Sequence, residues 1–282
     1  MGVYSSPHGG RMSGFSADWL ALREPADEAA RSRELVLWTS GPARAALRGS
    51  PEGAALRAGR VIDLGGGTGS NIRYLSSILP SPQEWTLVDN DPLLLARAPA
   101  GVTTHRADLN LVINDAALFR GCALVTASAL LDLVSEEWLA SLVLRCRVAD
   151  AAVLFALSYD GRIACTPAEP EDESVRQLVN VHQQTDKGFG RALGPDAAAS
   201  TAALLSAAGY DVKQAQSDWD LGPKSRELQR ELIDGWAVAA SEMAPEQKSS
   251  IADWRARRIA HVDVGRSRIV VGHVDVAGVV RR

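Results

Sequence analysis

Three acids and four glycines stand at spacings that suit one small ligand. Asp63 closes an apolar run, "RVIDL", and Gly65, Gly66, Gly67 and Gly69 follow within six residues. Asp89 ends a second apolar run 20 residues beyond Gly69, and Asp108 ends a third stretch 19 residues later. Glycines let a backbone pass very close to a ligand. A carboxylate can accept from two adjacent hydroxyls or from an ammonium. The chemistry asked for is therefore recognition of a molecule rich in donors.

That ligand carries no phosphate in the turn. A triphosphate cradle needs a Lys after the last glycine, and here Ser70 and Asn71 follow, with no basic residue from Val61 to Ile72. The pyrophosphate fingerprint G-x-G-x-x-G is imperfectly met by Gly65, Gly67 and Ser70, and Asp63 would repel a pyrophosphate. An amino group, a ribose and a base fit better, which is the make-up of S-adenosylmethionine (SAM).

The pattern Asp63-Leu-Gly65-Gly-Gly67-Thr-Gly69 resembles the first motif of class I SAM-dependent methyltransferases, and "VDNDPLLL" resembles their second. The resemblance spans roughly residues 61–160. It implies that Asp63, Gly65, Gly67 and Gly69 face the methionine part and Asp89 the ribose. Asn90, Asp108 and the backbone of Leu109 would face the adenine. Thr126, with Ser128, in "LVTASALLDLVS", would lie beside the reacting methyl, where an acid frequent in that family is absent. The remaining layout is similar to bacterial small-molecule members. NAD enzymes use an acid placed like Asp89 for the same ribose contact, but "YDGRI" puts Ile163 where a Tyr-x-x-x-Lys pair needs its Lys.

The expected function is transfer of the sulfonium methyl to an O, N or C nucleophile of a small organic acceptor. The alternatives are a SAM-binding protein without transfer, or an NAD(P)-dependent oxidoreductase. Candidates for a base stand after the fifth predicted strand: Tyr159 and Asp160, then His182 and Asp186, with Lys187 beside them. His182 shares a helical face with Val175, Leu178 and Val179, which equally describes a packed histidine. His261 and His273 have no evident partner. Trp19, Arg23 and Arg31 are candidates for a lid over the cofactor.

The elements that must position these residues alternate. Strands are expected at residues 60–64, 84–89, 102–109, 122–128 and 151–158, with helices between them, which predicts a doubly wound, mostly parallel sheet closed by an antiparallel C-terminal strand. The helical segment from Ala17 to Trp38 is expected to break near Pro25. The expected organisation is a single domain over residues 17–282. It carries a helical lid at 17–56 and cap insertions at 160–194 and 222–262, after a disordered leader at 1–16 within which Met12 is a possible start. The 282 residues are 46% hydrophobic and 23% charged, with net charge −4. No general attraction to nucleic acid or an anionic membrane follows from that balance. No apolar run approaches the roughly 20 residues of a membrane span. Cys122, Cys146 and Cys165 are too few and scattered for a disulfide framework or a metal site. Reduced thiols point to the cytoplasm.

Overall fold

A computed structural model describes residues 16–48 and 59–281; the expected leader up to residue 15 and the end of the expected lid lie outside these. Two helices open the described chain, α1 (Ala17–Ala30) and α2 (Arg33–Arg48). The alternating part runs β1 (Gly59–Leu64), α3 (Ser70–Ser76), β2 (Gln83–Asp89), α4 (Pro92–Leu95), β3 (Thr103–Arg106), α5 (Leu109–Val112), α6 (Ala116–Phe119), β4 (Cys122–Ser128), α7 (Glu136–Val148) and β5 (Ala152–Thr166). Then come α8 (Asp172–Gln183), α9 (Ala197–Ala207), β6 (Tyr210–Gln216), β7 (Trp219–Leu221), α10 (Arg226–Met243), α11 (Lys248–Asp263) and β8 (Arg268–Val280).

The strands form one sheet in the order β3-β2-β1-β4-β5-β8-β6, with β7 also paired to β8. Strands β1 to β5 are mutually parallel. Strand β8 is antiparallel to β5, β6 and β7. The order reverses between β1 and β4, so the crevice at their carboxyl ends is the place where such sheets take ligands. Central strands are apolar on both faces. Val125, Val153 and Phe155 pack with Leu139, Leu142 and Cys146 of α7. On the other face Val61, Leu124 and Leu154 pack with Leu35 and Val36 of α2 and Ile72 and Leu75 of α3. A third apolar cluster joins α1, α8, α10 and α11 around Trp219, Trp236 and Trp254.

Two elements differ from expectation. Helix α1 runs through Pro25 without a break. The carbonyl that Pro25 leaves without a donor is that of Ala21, and both residues are on the exposed side of the helix. The break falls instead at Arg31, whose ψ of 139° leaves the helix. Strand β5 runs to Thr166, past the expected end at Ser158, because β8 pairs with it antiparallel along Ile163 to Thr166. A bulge after Phe155 interrupts that ladder, and Leu157 sits there at φ +57°. The excursion expected from Asp160 therefore begins beyond Thr166.

Asp275, buried on β8, fastens these two irregularities together. Its Oδ1 accepts from the Leu157 amide and its Oδ2 from the Ser32 amide, each at 2.8 Å. The junction between α1 and α2 is thus pinned to the sheet at the β5 bulge. Burial raises the Asp275 carboxyl above its ordinary value.

Candidate functional site

The turn after β1 is built by backbone that only glycine adopts easily. Gly65, Gly67 and Gly69 have φ of +61°, +55° and +81°, in the left-handed region. A Cβ on Gly66 would overlap Leu87 Cδ1 and Asp63 Oδ2, and one on Gly67 would stand 2.8 Å from Leu20 Cδ1 of α1. Beside Gly65, Leu109 and Leu130 each bring a methyl to 3.4 Å from such a Cβ.

Asp89 ties the turn to β2. Its Oδ2 accepts from the Gly67 amide and its Oδ1 from the Asp91 amide, both at 2.9 Å. Each oxygen keeps a lone pair for a further donor. Asp63 lies beneath the turn, fully buried. Its Oδ1 accepts from Asn71 Nδ2 at 2.7 Å, and its Oδ2 has no hydrogen-bond partner among the described residues. Burial pushes its carboxyl up to about 7, against the Asn71 hydrogen bond and the Arg31 charge.

A cleft of about 60 Å³ opens above these groups, lined by Gly65, Gly66, Gly67, Asp89 and Ser128, with Leu20, Arg23 and Asp27 of α1 on its roof. Arg23 and Asp27 form a buried bidentate pair at 2.9 and 3.1 Å, and Asp27 Oδ1 also accepts from Trp219 Nε1 at 3.0 Å. Arg31 reaches Ser128 Oγ at 2.9 Å, and its Nε and Nη1 make no hydrogen bond among the described residues. On the outside, Arg73 holds Glu24 through two 2.6 Å bonds, tying α1 to α3.

The other expected cofactor residues have different surroundings. Asp108 is exposed and caps α5, accepting from the Asn110 amide at 2.8 Å. Leu109 is buried, and its carbonyl accepts from Trp138 Nε1 at 3.0 Å. Asn90 is exposed. Thr126 is fully buried inside the sheet, where it receives Asn71 Nδ2 at 3.1 Å and donates to the Leu154 carbonyl at 2.7 Å. It braces Asn71 under the turn and is not among the residues lining the cleft.

The four base candidates each have their own partners. Tyr159 is fully buried, donates to Asn180 Oδ1 at 2.7 Å, and is held well above the ordinary phenol value by burial. Asp160 accepts from Arg162, which also binds Asp218. Asp186 shapes a turn, its Oδ1 accepting from the amides of Gly188 at 2.7 Å and Gly190 at 3.0 Å. His182 packs on its helix and meets Glu242 and Lys187. His261, expected without a partner, lies 2.8 Å from Glu169 Oε1, while His273 is buried against the Trp219 ring at 4.9 Å. Among the described residues no group of three or more His, Cys, Asp or Glu could hold a metal ion, and no helix is long and apolar enough to cross a membrane.

Asp27 and Leu20 were not singled out by their sequence, whereas Ser128 was, beside Thr126. The signal for the first is spacing: Trp19, Arg23 and Asp27 fall at i, i+4 and i+8, one stripe of a helix, and all three are buried.

No protein-family model matches the sequence, and no curated protein matches it. Among solved structures, a cyclopropane-fatty-acyl-phospholipid synthase-like protein from Lactobacillus casei aligns with a TM-score of 0.51 at 12% identity, over 94% of each chain. The fold is the Rossmann-like methyltransferase fold. A cyclopropane synthase of Mycobacterium tuberculosis aligns at TM-score 0.46 and 12% identity, over 93% of this chain and 94% of that one. The YcgJ protein of Bacillus subtilis aligns at 0.44 and 13%, over 87% and 100%. Within the methyltransferase fold, the switch point between β1 and β4 is occupied here by the glycine turn, Ser128 and the roof of α1.

Proposed function

We propose that the chain binds SAM in this cleft and moves its methyl to an O, N or C nucleophile of a small organic acceptor. The observation that carries the reading is the bond from the Gly67 amide to Asp89 Oδ2 at the switch point. It leaves the Asp89 lone pairs facing a turn that holds no cation for a phosphate. The residues present fit the cofactor. The lone pairs of Asp89 suit two ribose hydroxyls, and the orphaned Oδ2 of Asp63 suits the field of an ammonium above the turn. Gly66 and Gly67 let the turn close against Leu87, Asp63 and Leu20, where a Cβ would overlap.

When bound, SAM supplies a methyl already activated on its sulfonium sulfur. The protein's part is then to orient and to exclude water. Leu20 and the Arg23–Asp27 pair cover the cleft from α1, and Leu109 and Leu130 wall Gly65. A net charge of −4 supports a small-molecule acceptor over a nucleic acid. The three free cysteines support a reducing compartment, the cytoplasm.

Incubating the protein with methyl-labelled SAM and fractionated cell extract tests the reading. A labelled small molecule in one fraction is expected. Bound SAM with no labelled product from any fraction would replace transfer with binding alone.

A further inference from the structure

A chain of three titratable side chains joins the segment that leaves β5 to α10. Glu242 Oε2 on α10 lies 3.1 Å from His182 Nε2 in the last turn of α8. Lys187 Nζ lies 3.4 Å from His182 Nδ1 and 2.9 Å from Thr185 Oγ1. A carboxylate only accepts, so the network assigns the imidazole proton to Nε2 and leaves the Nδ1 lone pair facing Lys187. The third bonding position on Lys187 Nζ is not taken by a hydrogen bond among the described residues.

The loop carrying Lys187 is fastened to the rim of the strands. A bridge between Asp186 and Arg191 closes it as a small hairpin. The Gly188 carbonyl accepts from Asn110 Nδ2 at 3.0 Å, and Phe189 meets Trp138 edge-on at 5.6 Å. Trp138 in turn holds Leu109, the residue that packs on Gly65 of the glycine turn. The hairpin therefore shares its supports with the cofactor cleft.

We propose that Glu242, His182 and Lys187 form a proton relay, and that Lys187 takes the proton of an acidic hydroxyl, of phenol or enol class, on the methyl acceptor. This rests on the methyltransferase reading above. In the step, the neutral Lys187 amine binds the hydroxyl proton and the O–H electron pair stays on oxygen. That oxygen forms the C–O bond as the carbon–sulfur bond breaks with its pair going to sulfur. The products are a methyl ether, S-adenosylhomocysteine and one proton. The proton moves from Lys187 to His182 Nδ1 while the Nε2 proton passes to Glu242, whose side chain is 42% exposed and releases it to water.

The electrostatics suit an amine base. Burial lowers Lys187 below the ordinary lysine value, opposed by Glu242, Asp132 and Asp186. Burial and the Lys187 charge lower His182, opposed by Glu242. An amine below the usual lysine value of about 10.4 is matched to phenols near 10, and aliphatic alcohols lie far outside its reach.

The test uses the full chain and three readouts. Amine labelling with trinitrobenzenesulfonate over a pH series, resolved by peptide, should show Lys187 titrating below the exposed Lys224 and Lys248. Glu242→Gln should shift the Lys187 titration lower still, since a carboxylate that favoured the ammonium is gone. Lys187 titrating with Lys224 and Lys248, or unmoved by Glu242→Gln, would overturn the relay. With S-adenosylhomocysteine present, bound 4-nitrophenol should ionise at lower pH than free, and Lys187→Met should abolish that shift. No shift with the unmodified protein would overturn the acidic-hydroxyl assignment. SAM calorimetry, run separately, bears on the methyltransferase reading alone: absent SAM binding would defeat that reading whatever Lys187 does.

Discussion

The amide of Gly67 donates to Asp89 Oδ2 at 2.9 Å, so the turn after β1 is clasped by the carboxylate that ends β2. One side chain thereby sets the turn's shape and presents its remaining lone pairs to the cleft. Asp89→Ala removes both functions. SAM affinity should fall by about 1.5–3 kcal/mol, the range for hydrogen bonds to a charged group. Calorimetry on a variant with an unchanged circular dichroism spectrum measures it, and an unchanged affinity would take Asp89 out of the ribose site.

Gly66 tests how tightly the turn closes over Asp63. A methyl there overlaps Leu87 Cδ1 and Asp63 Oδ2, both in the buried core. Gly66→Ala should cost about 1–3 kcal/mol of stability, as overpacking does. Urea midpoints report it, and a neutral result would mean that the turn yields readily.

The buried Asp63 gives a signed pH dependence. Its folded value of about 7 lies above the ordinary aspartate value of about 3.9, so between roughly pH 4 and 7 the folded state holds a proton that the unfolded chain lacks. This contribution is complete below the unfolded value and is lost as pH rises through the folded one. It is worth at most about 1.4 kcal/mol per pH unit. Asp275 is raised in the same direction and adds to the slope. Asp63→Asn should flatten part of the fall in stability across that window. Equal slopes for the two proteins would remove Asp63 as its source.

The roof depends on Asp27. It pairs with Arg23 inside the protein and accepts from Trp219 Nε1. Asp27→Ala leaves a buried guanidinium and an indole N–H without that acceptor, a loss of about 3–5 kcal/mol by analogy with other broken buried pairs. Thermal or urea unfolding measures it. A loss below about 1 kcal/mol, the worth of an exposed pair, would mean that α1 lifts to let water reach Arg23.

Local pattern was legible where sheet and turn obey local rules. The glycine run and the acids ending β1 and β2 stood at readable spacing, and the order β1 to β5 followed from alternation. What stayed hidden depends on distant partners. Strand β5 reaches Thr166 because β8, more than a hundred residues later, pairs with it. Pro25 does not break α1, where it and Ala21, whose carbonyl it frees, lie on the exposed side. Thr126 reads as a residue at the reacting methyl, yet its hydroxyl is used up between Asn71 and Leu154. Asp186 reads as a base candidate on residue type, while the two amides it receives come from a hairpin that only the tertiary structure shows.

Titration calorimetry of the purified chain with SAM, and separately with NAD, asks most directly whether the glycine turn holds an amino acid tail. SAM should bind with measurable heat and Asp89→Ala should weaken it, while NAD gives none. Saturable NAD binding with no SAM heat would contradict the assignment of this cleft.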